Sequence, residues 1–150
     1  MKLIDVTVTR SIPASPEEVF DVWLDPDSPG GLWFGVKRVI LAPVVDGLFH
    51  HVVEHEGRLW PHYGRFIALD RGRTIEHTWV SEATRGLETV VHVALEPRDG
   101  KTHVTLRHTG IPDDEMGRGH EAGWTWLLST LAQRFEAGRS HAQGAQPPPG

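Results

Sequence analysis

The sequence contains no cysteine, and this absence excludes several kinds of chemistry. Without thiols there can be no disulfide framework, no thiolate nucleophile and no thiolate metal site. The sequence also lacks the run of roughly 20 apolar residues that a membrane-spanning helix requires. Its first residues alternate between apolar and polar types, unlike the apolar block of a signal peptide. We therefore expect a protein of the cytoplasm.

Positive charge is also scarce, since 15 Lys and Arg residues stand against 20 Asp and Glu residues. Binding to phosphate backbones requires a basic stripe, and the basic residues here are scattered, so nucleic acid is not an expected partner. The sequence has no Gly-x-Ser-x-Gly motif, and its serines fall mainly at caps, turns and strand ends. Nucleophilic catalysis is therefore not expected either.

The pattern of apolar residues predicts a strand, two short helices, six further strands and a long helix. Ser15 and Glu18 form a capping box for the first short helix, and Trp33 marks the second. The six later strands are predicted at residues 36–41, 48–54, 60–69, 74–80, 88–96 and 102–109, mostly separated by turn signals. Residues 120–135 then carry a helical stripe of Trp and Leu residues. Residues 1–137 are predicted to form one domain and residues 138–150 a disordered tail.

The dipeptide Asp99-Gly100 predicts a two-residue hairpin loop, which sets the register of the last two strands. Val91 then lies opposite His108, Val93 opposite Leu106 and Leu95 opposite Val104. One face of this hairpin becomes apolar and the other polar, as a half-solvated antiparallel sheet requires. The prediction places His108 on the inner face.

This order of elements predicts an α+β fold in which a curved antiparallel sheet of about seven strands is closed by the long C-terminal helix. One helix cannot fill the concavity of a broad sheet, so the interior is where a binding site would lie. Trp124, in the buried stripe, should pack against the sheet. Gly123 beside it weakens the helix and suggests close approach of another backbone.

The order and residues of these elements resemble the Bet v 1-like, START-related (SRPBCC) helix-grip superfamily, and within it the bacterial proteins similar to the activator of Hsp90 ATPase. The matching segments span roughly residues 4 to 136 and are 12–23 (IPASPEEVFDVW), 33–35 (WFG), 46–49 (DGLF), 64–70 (GRFIALD), 75–79 (IEHTW), 104–110 (VTLRHTG) and 120–124 (HEAGW). The resemblance implies a cavity between sheet and helix suited to an apolar or amphipathic ligand. It implies no shared catalytic set, because relatives include carriers, enzymes and co-chaperones.

The candidate ligand-binding residues are the aromatic and histidine side chains expected on the inner face, with one valine: Trp33, Phe49, His51, Phe66, His77, Trp79, Val91, His108, His120 and Trp124. A few convergent polar groups in an apolar chamber are typical of small-molecule sites. The competing interpretation is that the histidines are core residues with internal hydrogen bonds and the aromatics are packing.

No metal or cofactor is expected, although the chain has ten histidines. His51 and His55 on one strand face would lie about 13 Å apart, too far to share an ion. The pair His120-Glu121 opens like a zinc-protease motif, but position 124 is Trp instead of the second histidine.

Three functions remain open at this point. The first is non-catalytic binding of a small hydrophobic or amphipathic molecule, by a monomer or homodimer. The second is a cyclase- or aromatase-like enzyme that uses an inner histidine as general acid or base. The third is an interaction module that acts on a chaperone or another protein partner. The interior should discriminate among them. A large chamber with two or more convergent titratable groups favours the enzyme, an apolar chamber favours ligand binding, and a filled core favours the interaction module.

Overall fold

The computed structural model describes residues 1–25 and 38–143, apart from the side chains of residues 38, 39, 55 and 138–143. The elements in chain order are β1 (Leu3–Ile12), α1 (Pro16–Trp23), β2 (Arg38–Leu41), β3 (Leu48–His55), β4 (Arg58–Asp70), β5 (Thr74–Ser81), β6 (Thr89–Arg98), β7 (Lys101–Pro112), α2 (Glu115–Arg118) and α3 (His120–Gln143). A single 3-10 turn at Glu82–Thr84 links β5 to β6. Within the described ranges, no helix is long and apolar enough to cross a membrane.

The seven strands form one antiparallel sheet in the order β1-β7-β6-β5-β4-β3-β2. Bulges between Ile4 and Val6 in β1 and between Phe66 and Ala68 in β4 shift the register. Such bulges bend a strand, which helps the sheet to curve around α3. The predicted α+β fold is therefore confirmed. The short helix expected near Trp33 lies outside the described residues, and α2 was not predicted.

The β6–β7 hairpin has the predicted register. Arg98 pairs with Lys101 and Val91 with His108, and the turn residues Asp99 and Gly100 have φ angles of 53° and 75°. Positive φ at both positions is the geometry of a type I′ turn. The inner-face residues of this hairpin are buried, as predicted: Val91, Val93, Leu95, Val104, Leu106 and His108.

Helix α1 begins where the capping box predicts. The Ser15 side chain accepts a hydrogen bond from the Glu18 backbone N–H, and the Glu18 carboxylate accepts one from the Ser15 N–H, each at 3.2 Å. The buried side of this helix, Val19, Phe20 and Trp23, packs into the core beneath the sheet.

Helix α3 buries Trp124, Leu128, Leu131 and Phe135, and it packs closely against β1. This confirms the predicted burial of Trp124. The helix continues past residue 138, where the sequence predicts the tail to begin, as far as Gln143. The prediction for Gly123 is wrong for the described residues, because none of their atoms outside this stretch of α3 would lie within 4 Å of a Cβ added there. Among them, this glycine faces open space instead of a neighbouring backbone.

Candidate functional site: a cavity beneath the start of α3

A cavity of about 480 Å³ lies between the first turns of α3 and the inner face of β3, β4 and β5. Two exposed side chains, Met116 on α2 and Trp126 on α3, form part of its lining, so the cavity reaches the surface beside them. Its described lining is mostly apolar and aromatic: His51, Val53, Trp60, His62, Trp79, Ala83, Met116, Gly119, His120, Gly123, Trp124, Trp126 and Leu127. A volume of this size is sufficient for a small organic molecule.

Four of the predicted site residues line this cavity. His51, Trp79 and Trp124 are buried at its inner end, whereas His120 is half-buried nearer the mouth. The rings of Trp79 and Trp124 are 4.9 Å apart between centroids, at an interplanar angle of 54°. These residues come from β3, β5 and α3, so only the tertiary fold brings them together.

Five others lie in the core behind the cavity wall and are not part of its lining: Phe49, Phe66, His77, Val91 and His108. Phe49 packs directly over Gly64, where an added Cβ would be 2.1 Å from its ring. His77 contacts the Phe49 ring edge-on at 5.0 Å between centroids, and its Nδ1–H donates to the Thr78 carbonyl at 2.8 Å. Trp33, the remaining predicted residue, lies outside the described residues.

His108 belongs to a continuous chain of hydrogen bonds that ties α3 to the sheet. The Trp124 Nε1–H donates to His108 Nδ1 at 3.0 Å. His108 Nε2–H then donates to the Thr89 hydroxyl at 2.7 Å, and that hydroxyl donates to the Trp79 carbonyl at 2.6 Å. This direction requires the neutral imidazole, and burial lowers the His108 pKa to about 2. Both ring nitrogens are therefore engaged within the protein, which is a structural role.

His51 and His62 were not predicted to be neighbours, yet their rings stack at 4.7 Å between centroids. They are directly paired across β3 and β4. Burial is the main cause that lowers the pKa of His51 to about 2 and that of His62 to about 4. The positive charge of a second nearby imidazolium would add to this effect. Both rings are therefore neutral at physiological pH.

Sequence analysis missed nine lining residues: Val53, Trp60, His62, Ala83, Met116, Gly119, Gly123, Trp126 and Leu127. The turn residues Glu56-Gly57 could have indicated some of them, because they set the register of β3 and β4. Their φ angles are 53° and 75°. The same hairpin reasoning that located His108 would have paired His51 with His62 and Val53 with Trp60.

His120 differs from the core histidines because one of its nitrogens is accessible. Its Nδ1–H donates to the Gly117 carbonyl at 2.9 Å, so the neutral ring carries its lone pair on Nε2. Burial lowers the pKa of His120, which favours this neutral form. Within the described ranges, no side chain or backbone donor bonds Nε2.

Two indole N–H groups at the cavity wall have no acceptor among the described residues. They belong to Trp60 on β4 and Trp79 on β5. A buried donor without an acceptor costs about 1–3 kcal/mol. Both nitrogens are shielded from the open space of the cavity. No group of three or more His, Asp or Glu residues in the described part of the chain is placed to hold a metal ion.

Comparison with known proteins identifies the family. The model of the activator of Hsp90 ATPase homolog 1-like proteins matches residues 13–136. The chain belongs to this family. A search of curated protein sequences finds no match to this chain.

Several solved structures share the fold of this chain. A protein of Chromobacterium violaceum, CV1439, is 22% identical over 88% of this chain and 96% of its own, with a TM-score of 0.71. The Aha1 dimer of Colwellia psychrerythraea is 19% identical over 91% of this chain and 98% of its own, with a TM-score of 0.71. Ara h 8.0201 is 11% identical over 91% of this chain and 99% of its own, also with a TM-score of 0.71. These similarities establish the helix-grip fold.

Proposed function

We propose that this member of the activator of Hsp90 ATPase homolog 1-like family binds a small hydrophobic or amphipathic molecule in the cavity beneath α3, without transforming it. The observation that carries the proposal is the cavity itself, which the described residues leave open although several of their large aromatic side chains surround it. A concave, mostly apolar chamber with a few polar atoms is the usual form of a small-molecule site.

Three titratable side chains, His51, His62 and His120, line the cavity, but all three are of one type, and this favours binding over acid–base catalysis. The polar lining side chains there are imidazoles and indoles, and no carboxylate, hydroxyl or ammonium group accompanies them. General acid–base catalysis commonly pairs groups whose environments separate their pKa values. Here the environment lowers the pKa of His51, His62 and His120 together.

A second candidate function is protein interaction through the outer face of β2, β3 and β4. Ile40, Leu48 and Tyr63 on this face are each more than half exposed. Ile40, His50 and Tyr63 pair in one row across the three strands, and the His50 and Tyr63 rings stack at 4.7 Å. The relative from Colwellia psychrerythraea is a dimer, so a second copy of this chain is the partner to test. Light scattering over a concentration series, with Tyr63→Glu, would detect a dimer held by this face.

The binding proposal is tested by titrating the protein with N-phenyl-1-naphthylamine, a probe whose fluorescence rises in apolar sites. We expect saturable binding of one probe per chain in the wild type and in Gly123→Ala. In Gly123→Leu the longer side chain occupies open space at the cavity mouth, so affinity should fall at least tenfold. Equal binding by all three proteins, or no saturable binding by any, would contradict the proposal. Native mass spectrometry of the wild type would reveal a co-purifying molecule.

A further inference from the structure

The charge of the cavity lining limits the ligands that it can accept. Among the residues described, no Lys, Arg, Asp or Glu side chain lines the chamber. Arg58 lies close by, but it stacks over the Trp60 ring at 4.0 Å and is paired with Glu82. Burial of a carboxylate or ammonium group without an opposite charge costs several kcal/mol. An uncharged ligand therefore suits this chamber better than a fatty acid or an amine.

One polar atom of the lining, Nε2 of His120, is a hydrogen-bond acceptor in a fixed tautomer. His120 is held by the bond from Nδ1–H to the Gly117 carbonyl, which leaves the lone pair of Nε2 as the accessible group. The edge-on contact with the His108 ring, at 4.9 Å between centroids, holds the imidazole on its other side. A ligand satisfies Nε2 by donating an O–H or N–H.

The walls favour a flat, aromatic ligand body. The rings of His62 and Trp79 lie 4.8 Å apart and those of Trp79 and Trp124 lie 4.9 Å apart, with Trp60 and Trp126 also in the lining. Because these rings contact one another, they form one aromatic wall. A flat aromatic ligand that lies on this wall gains stacked or edge-on contacts in addition to the burial of apolar area.

We propose that the cavity takes an uncharged hydroxyaromatic molecule, of the phenol or naphthol class, whose O–H donates to Nε2 of His120. This inference depends on the proposed binding function, and it adds the chemical class of the ligand and the residue that orients it. The hydroxyl lies at the half-buried edge of the chamber, and the aromatic body lies against the Trp79 and Trp124 rings.

The test compares three probes of one shape: 2-naphthol, 2-methylnaphthalene and 2-naphthoate. Their dissociation constants are measured by displacement of N-phenyl-1-naphthylamine. The methyl probe lacks the donor and the carboxylate carries a charge. We expect 2-naphthoate to bind more weakly than 2-naphthol by at least tenfold. The ratio of the constants for 2-methylnaphthalene and 2-naphthol should fall about tenfold in His120→Leu, the loss of one hydrogen bond of about 1.4 kcal/mol.

Two further variants separate this bond from general effects on folding. His50→Leu, on the outer face of the sheet, is the matched control and should leave the ratio unchanged. His120→Gln retains an acceptor oxygen and should restore part of the preference for 2-naphthol. A ratio that is the same in wild type, His120→Leu and His120→Gln would overturn the inference, as would tighter binding of 2-naphthoate, while the binding function would stand. Failure of N-phenyl-1-naphthylamine itself to bind would instead refute the proposed function.

Discussion

Mild acid should destabilise this protein strongly, because five histidines are held neutral in the folded state. Burial lowers the pKa of His51 and His108 to about 2 and that of His62 and His77 to about 4, and it also lowers that of His120. In the unfolded chain each imidazole titrates near its ordinary value of about 6.5. Below that value the unfolded state binds more protons than the folded state, so stability is lost as pH falls.

The size of the effect follows from proton linkage. At pH 5.5 an unfolded histidine with a pKa of about 6.5 gains about 1.4 kcal/mol from protonation, whereas a folded one with a pKa of 4 or less gains almost nothing. The four residues with a folded pKa of about 4 or less together amount to about 6 kcal/mol, which is comparable to the whole stability of a typical domain. The lowered pKa of His120 acts in the same direction. Unfolding should therefore be largely complete near pH 5, before most carboxylates are protonated.

Urea unfolding followed by tryptophan fluorescence at several pH values between 7.5 and 5.5 measures this loss. In His77→Phe the loss over the same interval should be smaller by about 1.4 kcal/mol, because one proton-binding site of the unfolded chain is removed. His50→Phe on the outer face is the comparison. An unfolding free energy that changes by less than about 2 kcal/mol between pH 7.5 and 5.5 would refute the assignment of these histidines as neutral core residues.

Three substitutions test the packing around the cavity through the free energy of unfolding in urea. Trp124→Ala should cost about 3–5 kcal/mol, since it removes a buried ring and the donor to His108; a loss below about 1 kcal/mol would mean that α3 does not dock as described. Thr89→Val should cost about 1–3 kcal/mol, because His108 Nε2 loses its acceptor; no change would contradict the hydrogen-bond chain. Gly123→Ala should stabilise by about 1 kcal/mol through helix propensity, and destabilisation would indicate a contact that the open space excludes.

Sequence patterns predicted the fold and the strand register better than the residues that line the cavity. The Asp99-Gly100 turn determined which residues of β6 and β7 point inward, because strand alternation follows directly from register. The cavity lining depends instead on how far the sheet curves and where α3 crosses it, which are properties of tertiary packing. His108 was correctly placed inside, yet its two hydrogen bonds to Trp124 and Thr89 make it part of the framework. His62 and Trp60 line the cavity because of the register of the β3–β4 hairpin, which the sequence analysis did not derive.

Gly123 is a second case in which the sequence pattern did not reveal what a residue faces in the folded protein. Its low helix propensity was visible in the sequence, and close backbone contact was the expected reason. The structure instead places it in the cavity lining, and no described residue outside its own stretch of α3 has an atom within 4 Å of an added Cβ. Whether a helical glycine faces a neighbour or a void depends on what lies opposite, and a one-dimensional pattern does not contain this information.

The most direct test of the binding site is an indole ¹H–¹⁵N spectrum recorded during titration with N-phenyl-1-naphthylamine. The chain has six tryptophans, and their signals can be assigned by single Trp→Phe variants. Trp79 and Trp124 line the cavity, whereas Trp23 lies in the core outside its lining. We expect the Trp79 and Trp124 signals to shift saturably with one equivalent of probe while the Trp23 signal stays in place. Shifts that do not saturate, or that leave both Trp79 and Trp124 unchanged, would contradict a ligand site beneath α3.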